Sequence, residues 1–472
     1  MAAQRIEVPN LVLNDGRKMP AIALGTYLGF DKVLQEFICN KGIVTSKDKE
    51  LKKAVEYAID VGYRHVDTAA VYATEAEVGE AIRAKVSNGT ITREDIFVTT
   101  KLWNTHHERA KVIEAARESL KNLGLDYIDL YLMHWPIGLN YYVMLNDDDT
   151  DRYSYKTALS SRFCHKTHTV ALHKKHSVAS LGSTLHHGRA VVWPVWLQYE
   201  GGPGRSWDWK GIIHYELLPQ GKTINSDLYC QNLMRFKQEA EKKRPEAINR
   251  KGVVFHHDNA RPNTSLTTQQ IFREWDDNTE SPVDYLETWR GMEDVQRLGL
   301  ARSVGLSNFN RSQLARVLDE AEVKPAALQI EVHPNLVQRE LVEVAQNRGL
   351  LVMGYSPLGF LASRMGAEHV VPDSNDPILN EIAKKYGKTT YQVVLRWQVD
   401  RRIVPIPKST NEGRLLQNID IFDFELTEDE VAKIGTSYER RRIVLPSFWQ
   451  DHPHYPFEKI DKPIPNPFVK NV

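Results

Sequence analysis

Cysteine is scarce in this chain. Cys39, Cys164 and Cys230 are the only three in 472 residues. So odd and scattered a set excludes a disulfide framework and a cysteine-based zinc site. Net charge is missing as well: 61 Lys and Arg balance 61 Asp and Glu. No global field therefore argues for nucleic acid or an anionic membrane as partner. No segment is apolar for long enough to span a bilayer, and the opening Met-Ala-Ala-Gln-Arg-Ile-Glu has no apolar run of leader length. The chain is expected in a reducing cytoplasm, as a monomer. There is also no G-x-G-x-x-G after the first strand, which argues against an open doubly wound dinucleotide fold.

What is present is a soluble composition, 42% hydrophobic and 26% charged, with a rhythm of short apolar strands and amphipathic helices. Strands are predicted at Ile22–Gly25, "YRHVDTA", "IFVTTK", "YIDLYLMHW", "ARSVGLS", "ALQIE", "LLVMGYS" and "RIVPIPKS". Between them, Leu51, Ala54, Val55, Ala58 and Ile59 recur at helical spacing until Gly62 stops the run. Further helices are predicted over 76–85, 108–123, 283–298, 311–321 and 338–348, two more over about 377–398, and one around Arg414. Eight strands alternating with helices predict a closed (β/α)8 TIM barrel of the α/β class.

Residues 140–280 break that rhythm. Nine of the 17 histidines fall between His165 and His257, and neither strand nor helix period is sustained. The expected organisation is therefore a first half-barrel over 1–139, a large insertion after the fourth strand over 140–280, and a second half-barrel with a tail over 281–472. The run His165-x2-His168-x4-His173-x2-His176 lacks carboxylates or cysteines that would give it a settled metal geometry, so no metal is expected.

In a barrel of this kind chemistry sits at the carboxyl ends of the strands. The second strand ends in Asp67, with Tyr72 in the loop beyond it. The third ends in Lys101, followed by Trp103, and the fourth in His134. Tyr, Lys, Asp and His at one mouth can deliver a proton to a carbonyl oxygen. A free tyrosine titrates near pH ~10. A neighbouring ammonium is expected to bring it toward neutrality, a carboxylate to hold the ammonium, and the imidazole to orient the carbonyl.

These motifs, with "LNDGRKMPAIALGTY", "GYRHVDTAAVYATEAEVGEAI", "VTTKLWN", "YLMHWP", "VGLSNFN", "GYSPLG" and "IPKSTNEGR", resemble the aldo-keto reductase superfamily over about residues 5–139 and 281–450. The resemblance implies NADPH-dependent reduction of a small aldehyde or ketone. Tyr72 would be the general acid, Asp67 and Lys101 would tune it, and His134 would position the carbonyl. For the cofactor it implies Ser307, Asn308 and Gln329 on the nicotinamide carboxamide and Tyr355 stacked on the ring. Thr26, Ser356 and Leu358 would join them, Lys408, Ser409 and Arg414 would take an adenosine 2′-phosphate, and Asn418 the adenine. Gln417 stands where many relatives have Glu. Tyr27, Trp103, His134 and Trp135 would line the substrate mouth, over which "LPSFWQDHPHYPF" could fold. The connection after the first strand is longer than the family's, with "VLQEFICNKGI" as the added piece.

Within the insertion, Trp207 to about Arg273 resembles the catalytic domain of mariner-type transposases. There the Asp of "HHDNARP", here Asp258, is one of three carboxylates that hold two Mg²⁺. No acidic residue stands in the strand context upstream of "WDWK", and the third carboxylate is missing before the reductase motifs resume. The insertion is therefore expected to be a remnant without that chemistry, and no nucleic-acid partner is expected. The competing readings are a DNA-binding fusion with the barrel as passenger, and a reductase scaffold inactivated by its insertion.

Overall fold

The structure, a computed structural model, describes residues 5–28, 49–139, 281–361 and 370–463. Within 140–280 it describes the backbone of five strands, and Lys242. By internal contacts the chain divides into two compact units, residues 1–138 with 280–466, and residues 139–279 with 467–472.

The first unit is a barrel of eight parallel strands: β3 (Leu24–Gly25), β4 (His65–Asp67), β5 (Phe97–Leu102), β6 (Ile128–Met133), β12 (Ala301–Ser307), β13 (Ala327–Glu331), β14 (Leu351–Tyr355) and β15 (Ile403–Ile406). The Ala23 and Gly25 amides donate to the Pro405 and Pro407 carbonyls at 3.0 Å each, joining the last strand to the first. β6 pairs directly with β12, Ser303 opposite Leu130 and Leu306 opposite Met133, so the barrel register is continuous across the insertion.

Because side chains alternate along a strand, each barrel strand has one row inside and one outside. The outer row (Val66, Val98, Tyr131, Met133, Val304, Leu306, Leu328, Ile330) packs under the helices. The inner row fills the lower barrel with Ala23, Phe97, Leu130, Leu132, Ala327, Met353, Val404 and Ile406. An N-terminal hairpin, β1 (Asn10–Val12) against β2 (Lys18–Pro20), adds Leu13 and Met19 to this inner cluster. The hairpin is not evident from the sequence periodicity, since three-residue strands carry too little alternation to be read.

The surrounding helices are α1 (Glu50–Val61), α2 (Glu75–Ser87), α3 (Arg109–Leu123), α4 (Tyr285–Arg297), α5 (Arg311–Glu320), α6 (Arg339–Asn347), α7 (Pro377–Tyr386), α8 (Thr390–Asp400), α9 (Glu412–Ile419) and α10 (Glu428–Thr436). The ends of α2 to α6 lie within two residues of the expected bounds, and the two helices expected over 377–398 are separated by Gly387 in the left-handed region (φ 65°); α10 lies outside the expected helices. The α1 face Leu51, Ala54, Val55, Ala58 and Ile59 is buried. Each larger apolar side chain so placed contributes roughly 1.5–3 kcal/mol. Gly62 ends α1 with φ 123°, and a Cβ there would collide with the Ile6 carbonyl, so glycine is required on both counts.

The second unit has one five-stranded sheet in the order β10 (Gly211–Leu217), β9 (Pro203–Asp208), β8 (Ala190–Val195), β11 (Val253–His257), β7 (Met144–Asn146). β8, β9 and β10 form an antiparallel meander, and β11 runs parallel to both β8 and β7. This order is hidden in the sequence because only "AVVWPV" and "GVVFHH" stand out as β-rich runs.

Candidate active site

The inner row that fills the barrel floor turns polar toward the carboxyl ends of the strands. Asp67 follows His65 on β4, Lys101 follows Phe97 and Thr99 on β5, and His134 follows Leu130 and Leu132 just past β6. Ser307 ends β12, while Gln329 and Glu331 follow Ala327 on β13, and Tyr355 follows Met353 on β14. Strand periodicity therefore brings these groups to one mouth.

Lys101 is fully buried, and its Nζ donates to Asp67 Oδ1 at 2.6 Å, to the Thr68 carbonyl at 2.8 Å and to the Tyr72 hydroxyl at 3.4 Å. The second Asp67 oxygen accepts from Gln329 Nε2 at 2.8 Å. Tyr72 lies on a short helical turn, Ala70–Tyr72, with its ring 5.0 Å from that of Tyr27 and 5.7 Å from that of His134. His134 is buried, 5.6 Å from the ring of Trp103 and stacked with Trp135 at 6.4 Å. All four expected catalytic residues and the three expected mouth aromatics thus share one site.

The electrostatics depart from expectation at Tyr72. Its hydroxyl is held well above pH 10, first by burial and then by the Asp67 charge. Lys101 does not bring it toward neutrality, because the ammonium is committed to Asp67 at the shorter distance. Burial pushes Lys101 itself below its usual value, with Asp67 pulling the other way. His134 is pushed well below 6.5 by burial and then by the Lys101 charge, so the imidazole is neutral. Its Nδ1 is buried without a hydrogen-bond partner among the described residues.

Beside this group, Asn308 (φ 62°) donates from Nδ2 to the His134 carbonyl at 2.9 Å and to Ser307 Oγ at 3.2 Å. The Tyr355 hydroxyl donates to Asn308 Oδ1 at 2.7 Å, and Ser356, also in the left-handed region (φ 49°), follows it. Thr26 Oγ1 donates to the Asp67 carbonyl at 2.9 Å. Leu358 is half-buried against the outer core. Further out, Lys408 and Arg414 are exposed and Ser409 and Asn418 buried, around the amino end of α9 capped by Asn411. A helix amino terminus with two cations suits a phosphate. These groups, from the mouth to the amino end of α9, could hold an extended phosphorylated cofactor.

The expected aromatic tail lies at the mouth, and one buried carboxylate behind it, Glu331, escaped the sequence reading. Trp449 sits 6.1 Å from Trp103 and 6.0 Å from Trp135, and Phe457 packs on Trp135 at 5.6 Å, so the aromatic tail does fold over the mouth. The alternation that marks Gln329 as inward also marks Glu331, two residues on, and that signal was available. The loop around "VLQEFICNKGI", the histidines His165–His176 and Asp258 lie outside the described residues. β8, the strand preceding "WDWK", reads Ala-Val-Val-Trp-Pro-Val and carries no acid. Among the described residues no cluster of His, Cys, Asp or Glu could hold a metal, and no helix is long and apolar enough to cross a membrane.

Comparison with known proteins agrees with this geometry. The aldo/keto reductase family model matches residues 39–154 and 249–439, and the chain belongs to that family. It is 34% identical to aldo-keto reductase AKR2E4 of Bombyx mori over 453 residues, covering 96% of this chain and 99% of the relative. It is 30% identical to aldo-keto reductase family 1 member A1 of Homo sapiens, over 95% of this chain and 97% of the relative. Among solved structures, the Bombyx mori AKR2E4 complex with NADP aligns at a TM-score of 0.62 and 33% identity over 96% of this chain and all of that one. The AKR2E5 complex with NADPH aligns at 0.64 and 29% over 99% of both. Between the two reductase segments, a transposase model (partial DDE domain) matches residues 206–250.

Proposed function

We propose that this chain reduces aldehydes or ketones to alcohols with NADPH, Tyr72 giving the proton. The observation that carries the reading is the Lys101 ammonium between two acceptors, 2.6 Å from Asp67 and 3.4 Å from the Tyr72 hydroxyl, beside a neutral buried His134. Bound NADPH supplies a hydride to the carbonyl carbon; that reactivity is the cofactor's own. The chain's residues handle the oxygen. His134 and Tyr72 converge as hydrogen-bond donors on one carbonyl oxygen, which fixes its orientation. Charge builds on that oxygen as hydride arrives, and the Tyr72 proton passes to it. A phenol held above pH 10 is protonated at neutral pH, as a general acid must be before it gives its proton. Lys101 then faces the phenolate, and Asp67, bridged to Gln329, keeps the ammonium in place.

Ser307, Asn308 and Gln329 would hold the carboxamide, with Thr26, Ser356 and Leu358 near by, and Tyr355 would lie along the ring. Lys408, Ser409 and Arg414 favour a 2′-phosphate and so NADPH over NADH, and Asn418 would read the adenine. Oxidation of NADPH in the presence of a simple aromatic aldehyde, followed at the cofactor's absorbance, tests the reading. Turnover in the native chain together with its loss in Tyr72→Phe is the expected result. An unaltered rate in that variant removes Tyr72 as the acid.

A further inference from the structure

The tail that covers the mouth is fastened to the barrel at its neck, and further along by Gln313 Nε2 donating to the His454 carbonyl at 2.8 Å and by His452 on the Gly138 carbonyl at 3.2 Å. Glu331, at the inner end of β13, is 1% exposed. Its carboxylate accepts the Ile443 amide at 2.6 Å on one oxygen and the Val444 amide at 2.9 Å on the other. His333 Nε2 lies 2.8 Å from the first oxygen. Two residues further on, Asn335 receives the Arg441 amide at its carbonyl at 2.8 Å and donates from Nδ2 to the Glu439 carbonyl at 3.1 Å. The segment 331–335 therefore grips successive backbone groups of 439, 441, 443 and 444. Gly359 backs this grip: with φ +56°, its missing Cβ would come within 2.9 Å of the His333 ring.

Beyond this anchor the tail closes on itself. The Arg442 guanidinium lies over the Phe457 ring at 3.8 Å, and its Nε donates to Glu458 at 3.3 Å; Arg440 pairs with the same carboxylate. Gln450 and Ile460 exchange two hydrogen bonds, at 3.1 and 3.0 Å. These bonds close the tail at its neck into a compact loop packed by its own side chains. Trp449, which meets Trp103 and Trp135, lies within it.

We infer that Glu331 is a positioning residue for the substrate mouth: it holds the tail loop 443–457 so that Trp449 and Phe457 form a fixed wall against Trp103 and Trp135. Glu331 touches neither substrate nor reacting atoms in this arrangement. It acts through two backbone amides, bonds to a charged acceptor that are stronger than neutral ones. The inference deepens the reductase reading and rests on it for its catalytic consequence, whereas the anchoring itself does not.

The test compares the full chain with Glu331→Gln, which keeps the shape of the side chain and removes its charge. Three readouts are taken: trypsin cleavage at Arg440–Arg442, tryptophan emission, and steady-state reduction of a bulky aromatic aldehyde and of a small aliphatic one. The expected result is faster cleavage, red-shifted emission, and a KM for the bulky aldehyde raised on the order of tenfold. kcat for the small aldehyde should change little, and Trp449→Ala should reproduce the KM effect without the cleavage. A general structural defect would instead lower kcat for both aldehydes together. A tail that stays protected with KM unchanged overturns the inference. If the native chain reduces neither aldehyde the reductase reading fails, and the anchor is judged on cleavage and emission alone. If Glu331→Gln does not fold, hydrogen exchange in the native chain decides. Ile443 and Val444 amides protected like the β13 amides support the anchor, and amides that exchange like exposed loops refute it.

Discussion

The Ser281 amide donates to the Gly138 carbonyl at 3.0 Å, although residues 139–280 lie between them in the chain. His452 of the tail contacts the same carbonyl at 3.2 Å. The barrel thus leaves off and resumes at one point, with β6 and β12 already in register. Replacing residues 141–280 by a short Gly/Ser link is therefore expected to preserve the barrel. Loop-closure entropy changes by roughly 3 kcal/mol or less, in favour of the shorter chain. Circular dichroism and NADPH oxidation check this, and an unfolded or inactive deletion variant would show that the insertion supports the barrel.

Tyr72→Phe removes the only hydroxyl within 3.5 Å of Lys101 Nζ among the described residues. A positioned general acid contributes about 10²–10⁴ in rate, so kcat should fall by that range while NADPH still quenches the protein's tryptophan emission. A parallel loss of cofactor binding would assign Tyr72 a structural part instead.

The Lys101–Asp67 pair is buried on both sides, at 0% and 5% side-chain exposure. Removing one partner leaves a charge without compensation. Lys101→Met is expected to cost about 3–5 kcal/mol in urea unfolding, and Lys101→Met with Asp67→Asn markedly less. Additive losses in the double variant would mean that the pair is not coupled.

Acid sensitivity follows from the buried histidines. Burial lowers His65 and His107 to about 3, and His106 and His452 to about 4. Above pH 6.5 these groups are neutral in the folded and the unfolded chain alike. Below it the unfolded chain takes up protons that the fold refuses, so stability is lost as pH falls from 6.5 toward 4, at up to about 1.4 kcal/mol per group per unit. The urea midpoint at pH 5 should lie well below that at pH 7.5. His107→Leu should flatten the slope, since neither ring nitrogen of His107 has a partner among the described residues. An equal slope in that variant would take His107 out of the account.

Much of this site was legible because alternation is local. "HVD", "VTTK", "YLMH" and "ALQIE" each declare an inner row, and the polar residue at its upper end can be read off without any tertiary contact. What stayed hidden depends on partners distant in the chain. Glu331 acquires meaning only when the amides of 443 and 444 arrive. The direction at Tyr72 was misjudged because the Lys101–Asp67 partnership was legible, whereas the burial that raises the Tyr72 hydroxyl depends on side chains distant in the chain. In the insertion, two short β-rich runs could not disclose a five-stranded order set by long-range pairing.

Cofactor preference provides the last test. Lys408 and Arg414 are the exposed cations at the amino end of α9, and Arg414 is the one whose backbone amide the Asn411 side chain caps at 3.0 Å. A guanidinium can meet a 2′-phosphate through two parallel donors, worth about 1.5–3 kcal/mol per charged hydrogen bond. Arg414→Ala should therefore raise the KM for NADPH on the order of tenfold or more and leave that for NADH unchanged, because NADH has no phosphate to lose. Since the capping bond is made by the backbone, the substitution keeps α9 intact, and a melting temperature close to the native value would confirm that the effect is electrostatic. High salt should diminish the native preference in the same direction. Equal losses for both cofactors would place the 2′-phosphate elsewhere.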